Sequence, residues 1–361
     1  MMSSRLTELT VDSRKNYRMA FTINLRPSGL QFAADADSTV LDSAEKAGIA
    51  LPYGCRGGSC GACKGRVIEG DVERGIEDQF AMTDAERAAG FMLLCVAQPR
   101  SGAVIEVADV SRLGGIVVKT LQSRIISIEH AAPDVLIVAL KLPASEAFDF
   151  RAGQYITLMF KDGERRDFSL ANAPHEVGFV LLHIKLNAGS YTARMFNDVL
   201  KERDILRFEG PLGSFGINTA STKPMILLAG GTGYAPIKSI LDHMAHGGCD
   251  GGTRRDVHLY RGAPDRAGLY LPDQHWQWVS AFDNFTYVPV LSDPTPACQW
   301  IGRKGLVHQA VLDDFADLSG FEVYACGSPA MIDAARLDFA ARGLPSDAFF
   351  ADAFTPAPAT K

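Results

Sequence analysis

The chain has 361 residues, which is enough for two or three domains of ordinary size. Its apolar content of 47% is typical of globular proteins, and its net charge of −6 argues against a nucleic-acid-binding surface. No segment approaches the roughly 20 apolar residues of a membrane-spanning helix, and the N-terminus lacks the apolar core of a signal peptide. We therefore expect a cytoplasmic protein with no membrane or nucleic-acid partner, in which residues 1–18 form an extension.

Residues 19–110 mix strand and helix patterns, which predicts a small α+β domain. Ser38 is expected to cap a short helix over residues 40–47, which Gly48 ends. The predicted strands are residues 17–24, 30–34, 64–69 and 101–110.

Gly114 and Gly115 form the expected joint to a β-rich segment, residues 116–218. Turn residues interrupt this segment at short intervals, which predicts an antiparallel β-barrel, with one helix over residues 191–200. The predicted strands are residues 115–119, 124–129, 135–142, 155–160 and 180–185.

Residues 223–355 alternate short apolar strands with helices. This alternation predicts an α/β domain with a parallel sheet covered by helices. The predicted strands are residues 225–228, 257–260, 285–290 and 322–325, and the predicted helices are residues 236–245, 308–315 and 331–341.

Four of the seven cysteines have the spacing of an iron–sulfur site. Cys55, Cys60 and Cys63 form C-x₄-C-x₂-C and Cys95 follows at a distance, which is the plant-type [2Fe–2S] arrangement. A structural zinc site is the alternative, but zinc ribbons favour two C-x₂-C pairs and this sequence has one. We therefore predict these four cysteines as cluster ligands, on a loop that its glycines allow to turn sharply.

The stretches around these cysteines, YGCRGGSCGACKGRVIEG and LLCVAQPR, resemble the ferredoxin domains of oxidoreductases. This resemblance implies a β-grasp fold for residues 19–110. Three phrases of the next segment, AGQY, RDFSL and GPLGSF, are similar to those of the ferredoxin–NADP reductase superfamily.

The phrase RDFSL matches the R-x-[YF]-[ST] motif of that superfamily. The resemblance implies that Arg166 binds a flavin pyrophosphate, for which its planar fork is suited. It also implies that Phe168, where tyrosine is commoner, stacks on the flavin ring. Ser169 would then donate a hydrogen bond near the reactive ring nitrogen, and Leu170 completes the cofactor-binding phrase. Most of the superfamily uses FAD, which is therefore expected over FMN.

Residues 189–192, GSYT, resemble the superfamily's glycine-plus-hydroxyl motif at a helix start. The resemblance implies that backbone N–H groups and Thr192 complete the pyrophosphate site.

The sequence MILLAGGTGYAP indicates a strand, a glycine turn and a helix start, where free N–H groups could meet a second pyrophosphate. It resembles the G-G-T-G-x-x-P motif of the superfamily rather than the G-x-G-x-x-G dinucleotide fingerprint. The nicotinamide-binding residues that this implies are Gly230, Gly231, Thr232, Gly233 and Pro236.

The phrase YACGSP resembles the family's C-G-x-P motif. It implies that Cys326 lies near the path of hydride transfer and that Gly327 lets the nicotinamide approach, although a buried apolar cysteine is the alternative. The phrase FFADAF resembles the terminal acidic–aromatic motif, which implies a catalytic Asp352 and a cofactor-contacting Phe354. A solvated Asp352 at a strand end is the alternative there.

Arg261 ends the strand that usually decides between NADH and NADPH. An arginine there can hold a 2′-phosphate, but no second cation follows until Arg266. We therefore expect NADH, with NADPH possible.

The order ferredoxin, flavin, nicotinamide implies an oxidoreductase that passes electrons from NADH to FAD, then to [2Fe–2S] and then to a partner protein. A nicotinamide gives two electrons as hydride and a cluster accepts one, so the flavin belongs between them. The phrases FEGPLGSF, LLAGGTGYAPIKSI, YVPVLSD and VHQAV most resemble the CDP-6-deoxy-Δ3,4-glucoseen reductase group, whose partner is a dehydrase. The alternatives are a reductase component of an aromatic-ring oxygenase or soluble monooxygenase and, in another class, a non-catalytic redox sensor.

Overall fold

A computed structural model describes residues 20–79, 81–107, 116–248 and 255–354, and the backbone of residues 111–112. The predicted extension at residues 1–18 and the joint at Gly114 and Gly115 lie outside the described residues. Three main sheets organise the rest. The first two each have one main apolar core, and the third has an apolar cluster on each of its two faces. We name the three parts by these sheets: the first domain (residues 20–112), the barrel domain (residues 119–212) and the α/β domain (residues 225–353).

The elements of the first domain are β1 (Ala20–Arg26), β2 (Gln31–Asp35), α1 (Val40–Lys46), β3 (Ile49–Ala50), β4 (Lys64–Glu69), β5 (Val72–Glu73), α2 (Asp84–Ala88), β6 (Phe91–Leu93), β7 (Gln98–Pro99), β8 (Ala103–Glu106) and β9 (Ser111–Arg112). Its main sheet has the order β2-β1-β8-β4-β6, with β1 parallel to β8 and antiparallel to β2, and α1 packs on β2. The expected β-grasp is confirmed.

The predicted cap of α1 is wrong by one residue. The helix begins at Val40, so the residue before it, Thr39, is the one whose side chain accepts the N–H of Asp42, at 3.1 Å. Ser38 instead accepts a hydrogen bond from Lys46 at 3.2 Å.

The elements of the barrel domain are β10 (Lys119–Ala132), β11 (Val135–Lys141), β12 (Tyr155–Met159), β13 (Arg165–Ser169), β14 (Phe179–Lys185), α3 (Tyr191–Arg194), a π-helical turn (Met195–Val199) and β15 (Ile205–Leu212). The strand order is β13-β12-β15-β10-β11-β14, and a bridge between Leu170 and Leu182 closes the edges. The expected antiparallel barrel is confirmed. However, β10 is one long strand that begins only at Lys119, and both β13 and β15 were missing from the prediction.

The elements of the α/β domain are β16 (Met225–Gly230), a 3₁₀ turn (Gly231–Gly233), α4 (Tyr234–Ala245), β17 (Val257–Ala263), α5 (His275–Ala281), β18 (Phe285–Leu291), a 3₁₀ turn (Pro296–Cys298), β19 (Arg303–Lys304), α6 (Val307–Asp314), β20 (Glu322–Gly327), α7 (Pro329–Ala341), a 3₁₀ turn (Ser346–Ala348) and β21 (Phe349–Ala353). The sheet is parallel throughout, in the order β19-β18-β17-β16-β20-β21. The expected α/β domain is confirmed, with α5 as an unpredicted helix.

The strand order of the α/β domain reverses between β16 and β20. In open parallel sheets, ligands bind outside the carboxyl ends of the strands at such a reversal. The fold therefore predicts a cofactor site at the carboxyl ends of β16 and β20. Among the described helices, none has the length and apolar character to cross a membrane.

Candidate active site

The four predicted cluster cysteines lie in one loop of the first domain and beside it. Cys60, Cys63 and Cys95 are buried, and Cys55 is half-buried. The N–H groups of Ser59 and Cys60 donate to Sγ of Cys55 at 3.4 and 3.3 Å, and the N–H of Cys55 donates to Sγ of Cys60 at 3.4 Å. Backbone dipoles therefore point at the sulfurs, as a negatively charged cluster requires.

The thiols are grouped into two neighbouring pairs, Cys55 with Cys60 and Cys63 with Cys95. The neighbouring thiol of Cys60 lowers the pKa of Cys55 to about 4, whereas the neighbouring thiol of Cys95 raises the pKa of Cys63. Across the described ranges, no three His, Cys, Asp or Glu side chains converge as the ligands of a single metal ion do. Two pairs of thiols fit the two irons of a [2Fe–2S] cluster better than they fit a mononuclear zinc site.

Two glycines determine the shape of this loop. Gly58 and Gly61 have φ values of 75° and 74°, in the left-handed region. A Cβ would lie 2.7 Å from the Ile76 carbonyl oxygen at Gly58 and 2.6 Å from that of Ala81 at Gly61. Any larger residue at either position would push the cluster loop away from the segments that support it.

The predicted pyrophosphate residues of the barrel domain come together at the start of α3. The guanidinium carbon of Arg166 lies 4.9 Å from the centroid of the Tyr191 ring, and Thr192 is the next residue. Glu164 holds the same guanidinium by an ion pair of 2.5 Å. A planar cation beside a helix start is suited to binding a pyrophosphate.

The remaining residues of the RDFSL phrase lie at the end of β13. Phe168 is half-buried and packs edge-to-face on Phe196, with ring centroids 6.5 Å apart. Ser169 is buried and faces Tyr155 across the strand pair. The side chain of Leu170 is fully buried in the barrel core, which leaves only its backbone near the strand end.

The two predicted nicotinamide phrases meet at the carboxyl ends of β16 and β20. A Cβ at Gly233 would lie 2.2 Å from the carbonyl oxygen of Cys326, and a Cβ at Gly327 would lie 3.2 Å from that of Gly230. The two turns therefore touch through their backbones, and this contact depends on glycine. The contact lies where the strand order reverses.

The other predicted residues of these phrases surround the contact. Gly231 has a φ of 54° and no atom within 4 Å of an added Cβ, so it faces open space. Thr232 is buried, and Pro236 is buried in the first turn of α4, where its missing N–H needs no partner. The N–H of Phe354 donates to the carbonyl oxygen of Gly327 at 2.8 Å, which joins the terminal motif to the C-G-x-P turn.

Asp352 lies beside Cys326 in the register of β21 and β20, and both are buried. Burial raises the pKa of the Cys326 thiol. Burial also raises the pKa of Asp352 to about 7, and the charges of Cys55 and Asp167 add to the effect. The predicted alternative of a solvated Asp352 is therefore wrong.

The three domains meet at Asp352. A Cβ added at Gly54, in the cluster loop, would lie 3.3 Å from Oδ1 of Asp352 and 3.2 Å from Sγ of Cys60. The barrel domain contributes Asp167, whose charge acts on Asp352, and Tyr155, whose pKa is raised by burial and also by the charge of Asp352. The cluster loop, the middle of β13 at Asp167 and the carboxyl edge of the parallel sheet thus share one junction.

Two residues at this junction, Tyr53 and Ser214, belong to the sequence motifs but have no predicted role. Tyr53 precedes the cluster loop and its hydroxyl accepts the N–H of Gly213 at 2.8 Å. The N–H of Ser214 donates to the carbonyl oxygen of Tyr53 at 3.0 Å, and the N–H of Tyr53 donates to Oγ of Ser214 at 2.5 Å. These bonds join segments 160 residues apart, so no local pattern could indicate them.

A cleft of roughly 2060 Å³ opens between the three domains. It is larger than the pockets of about 300–1,000 Å³ that hold most small ligands. Asp167 faces this cleft, but Arg166 and Phe168 do not, because side chains alternate between the two faces of β13. Other residues that line the cleft are Tyr53, Cys60, Tyr155, Gly213, Phe349 and Phe350.

Arg261 has little access to a ligand phosphate. Its side chain is 1% exposed, and its guanidinium carbon lies 3.7 Å from the centroid of the Tyr234 ring and 4.7 Å from that of Tyr270. The contacts are those of a buried cation–π cluster. The geometry therefore does not support a 2′-phosphate-binding role for this arginine.

Three domain families match the chain. They are the 2Fe-2S iron-sulfur cluster binding domain over residues 23–100, the oxidoreductase FAD-binding domain over residues 122–217 and the oxidoreductase NAD-binding domain over residues 227–337. The expected cofactors and the expected order of domains are confirmed by these matches.

Known proteins resemble the chain over nearly its whole length. It is 40% identical over 339 residues to the CDP-6-deoxy-L-threo-D-glycero-4-hexulose-3-dehydrase reductase of Yersinia pseudotuberculosis serotype I (strain IP32953), covering 94% of this chain and 99% of that protein. It is 34% identical over 344 residues to reductase component 1 of the terephthalate 1,2-dioxygenase of Comamonas sp, covering 94% and 99%. The crystal structure of the Amycolatopsis cytochrome P450 reductase GcoB superposes with a TM-score of 0.73 at 30% identity, covering 93% and 99%. The chain therefore belongs to the ferredoxin–NADP reductase superfamily, as an NAD(P)H-dependent flavin and iron–sulfur oxidoreductase of the ferredoxin–flavin–nicotinamide type.

Proposed function

We propose that the protein accepts a hydride from NADH and delivers single electrons to a separate acceptor protein, by way of FAD and then [2Fe–2S]. The observation that carries this proposal is the junction at Asp352, where the cluster loop, β13 at Asp167 and the carboxyl edge of the parallel sheet meet. FAD, when bound, supplies the conversion of one two-electron transfer into two one-electron transfers.

For the cluster, we propose Cys55, Cys60, Cys63 and Cys95 as the ligands. Their grouping into two neighbouring pairs supports two thiolates for each iron. The N–H groups directed at Cys55 and Cys60 would stabilise the negative charge of the cluster and adjust its potential.

For the flavin, we propose that Arg166 and Thr192 bind the pyrophosphate, that Phe168 contacts the flavin ring and that Ser169 donates a hydrogen bond to it. Leu170 would contribute through its backbone. The closeness of Arg166 to the start of α3 supports the pyrophosphate site. The burial of Ser169, opposite Tyr155 at the junction, supports a position near the reacting atoms.

For the nicotinamide cofactor, we propose that the backbone of residues 230–233, with the start of α4 at Pro236, receives the pyrophosphate. Gly327 and Cys326 would border the nicotinamide ring, with Asp352 and Phe354 close behind them. The buried position of Arg261 supports NADH over NADPH, since it leaves that cation unavailable to a 2′-phosphate.

For the acceptor, we propose a dehydrase-type partner protein. This proposal rests on the 40% identity with the hexulose-3-dehydrase reductase over nearly the whole chain. The second candidate is an oxygenase component, which the 34% identity with the terephthalate dioxygenase reductase favours.

An anaerobic titration with NADH and then NADPH, followed by visible absorption and EPR, tests the electron route. We expect NADH to bleach the flavin, after which a rhombic S = 1/2 signal of the reduced cluster appears. Bleaching without that signal would remove the cluster from the route. No bleaching with either nucleotide would refute the proposed function and favour the redox-sensor alternative.

A further inference from the structure

An arginine of the α/β domain reaches across to the cluster loop. Arg336 lies on α7, and its Nη2 donates to the carbonyl oxygen of Cys60 at 2.8 Å. Its guanidinium carbon lies 4.7 Å from the centroid of the Phe349 ring, so the guanidinium group also makes a cation–π contact with that ring. The bond joins positions 276 residues apart and so connects two domains.

The surroundings of Arg336 suit a cation that compensates negative charge in the loop. Its Nε is buried and has no hydrogen-bond partner within the described part of the chain. The nearby Lys64 is already paired with Glu86 at 2.7 Å.

The loop itself is packed against the α/β domain at this point. Cys60 is 2% exposed and belongs to the same apolar cluster as Phe349 and Ala351 of β21. The hydrogen bond from Arg336 is therefore made inside an apolar contact, where polar interactions are stronger than in water.

We propose that Arg336 is a positioning residue for electron transfer into the cluster. Its hydrogen bond to the Cys60 carbonyl oxygen fixes the loop against the α/β domain. Its positive charge lies on the side of the loop where Cys60 would bind the cluster. In this step the cluster accepts one electron from the flavin and no bond forms, so the cluster site becomes more negative by one charge. A neighbouring cation stabilises that reduced state and raises the reduction potential. This inference rests on the proposed function, because it takes Cys60 as a cluster ligand.

The first measurement is the midpoint potential of the cluster in the full-length holoprotein, by EPR-monitored redox titration. We expect R336Q to have a lower potential, by about 59 mV if its reduction equilibrium falls tenfold. We expect R336K, which keeps the charge, to lie closer to the wild type. The matched control is R342Q, at the end of the same helix, where Arg342 is exposed and donates to the carbonyl oxygen of Ala316 at 3.5 Å.

The second measurement is amide hydrogen exchange in residues 55–63. We expect exchange to be about fivefold faster or more in R336Q and unchanged in R342Q, because only the first loses the anchor of the loop. Wild-type potential together with wild-type exchange in R336Q would overturn the proposal. If R336Q retains too little iron to titrate, R336K decides the matter, because lysine keeps the charge and a donor for the Cys60 carbonyl oxygen: exchange as fast in R336K as in R336Q would overturn the proposal.

The outcomes separate this inference from the function on which it rests. A wild-type protein without iron or without the reduced-cluster EPR signal would refute the proposed function. A wild-type protein that has both, alongside an R336Q variant that behaves identically, would refute only the role of Arg336.

Discussion

The substitution Gly233→Ala tests whether the two turns of the α/β domain must touch. The added Cβ would lie 2.2 Å from the carbonyl oxygen of Cys326 and 2.7 Å from the backbone nitrogen of Gly327. Favourable contacts between carbon atoms need about 3.5–4.0 Å, and backbone atoms of a central strand cannot rotate away. Overpacking of this kind costs about 1–3 kcal/mol, so we expect a loss of stability of that size.

The same substitution should weaken the use of NADH. Relief of the clash requires the turn after β16 to move away from the turn after β20, which opens the proposed nicotinamide site. We expect the KM for NADH to rise about tenfold, which corresponds to about 1.4 kcal/mol. Stopped-flow bleaching of the flavin by NADH measures this effect, and thermal unfolding measures the loss of stability. Reduction of the cluster by dithionite should be unchanged, because its cysteines lie in another domain.

The matched control is Gly320→Ala, in the same domain. Gly320 is exposed and no atom lies within 4 Å of an added Cβ, so the same chemical change should have little effect. Flavin reduction with a wild-type rate and KM in the Gly233→Ala variant would refute the reasoning, since it would show that the close approach of the turns is not required.

Three further substitutions test separate parts of the site. C60S should lose the cluster EPR signal and keep flavin reduction by NADH, and loss of both would contradict the separation of these steps; C298S is its control. R166A should bind FAD about 10–100-fold more weakly, because a charge-assisted hydrogen bond contributes about 1.5–3 kcal/mol, whereas R165A should not. Unchanged flavin retention would exclude Arg166 from the site. Burial lowers the pKa of His183 from 6.5 to about 3. Between these two pH values the unfolded chain therefore binds a proton at His183 that the folded chain does not bind. Wild-type stability should therefore fall as pH drops from 6.5, by up to about 1.4 kcal/mol per unit, and H183Q should flatten this slope in thermal unfolding; equal slopes would refute the assignment.

The parts of the site that the sequence predicts are those whose geometry is local. The spacing of Cys55, Cys60 and Cys63 gathers three thiols in one loop, and Gly58 and Gly61 have the positive φ values that such a loop needs. The glycine turn after β16 was also predictable, because a strand, a glycine run and a helix start follow one another directly in the chain.

Elements whose patterns are mixed were harder to predict. β15 alternates between buried and exposed residues only in its first half, and Gly210 and Pro211 in its second half are typical of turns. β13 is a short strand at one end of the strand order, and three of its five residues, Arg165, Arg166 and Asp167, are charged. These charged residues give it no apolar strand pattern in the sequence. Thr39 and Ser38 both carry a hydroxyl, and only the observed start of α1 decides which of them caps it.

The backbone of the cluster loop is bonded at two points, Tyr53 and Cys60, to segments that lie far away in the chain. The N–H and carbonyl of Tyr53 bond to Ser214 of the segment that follows β15, and the carbonyl of Cys60 bonds to Arg336. Backbone groups are present whatever the residue type, so these attachments leave no motif in the loop sequence. Their partners, Ser214 and Arg336, lie far away in the chain. The position of the cluster relative to the other two cofactors therefore depends on contacts that sequence motifs do not reveal. Substitutions at Arg336 test that position more directly than substitutions within the loop do.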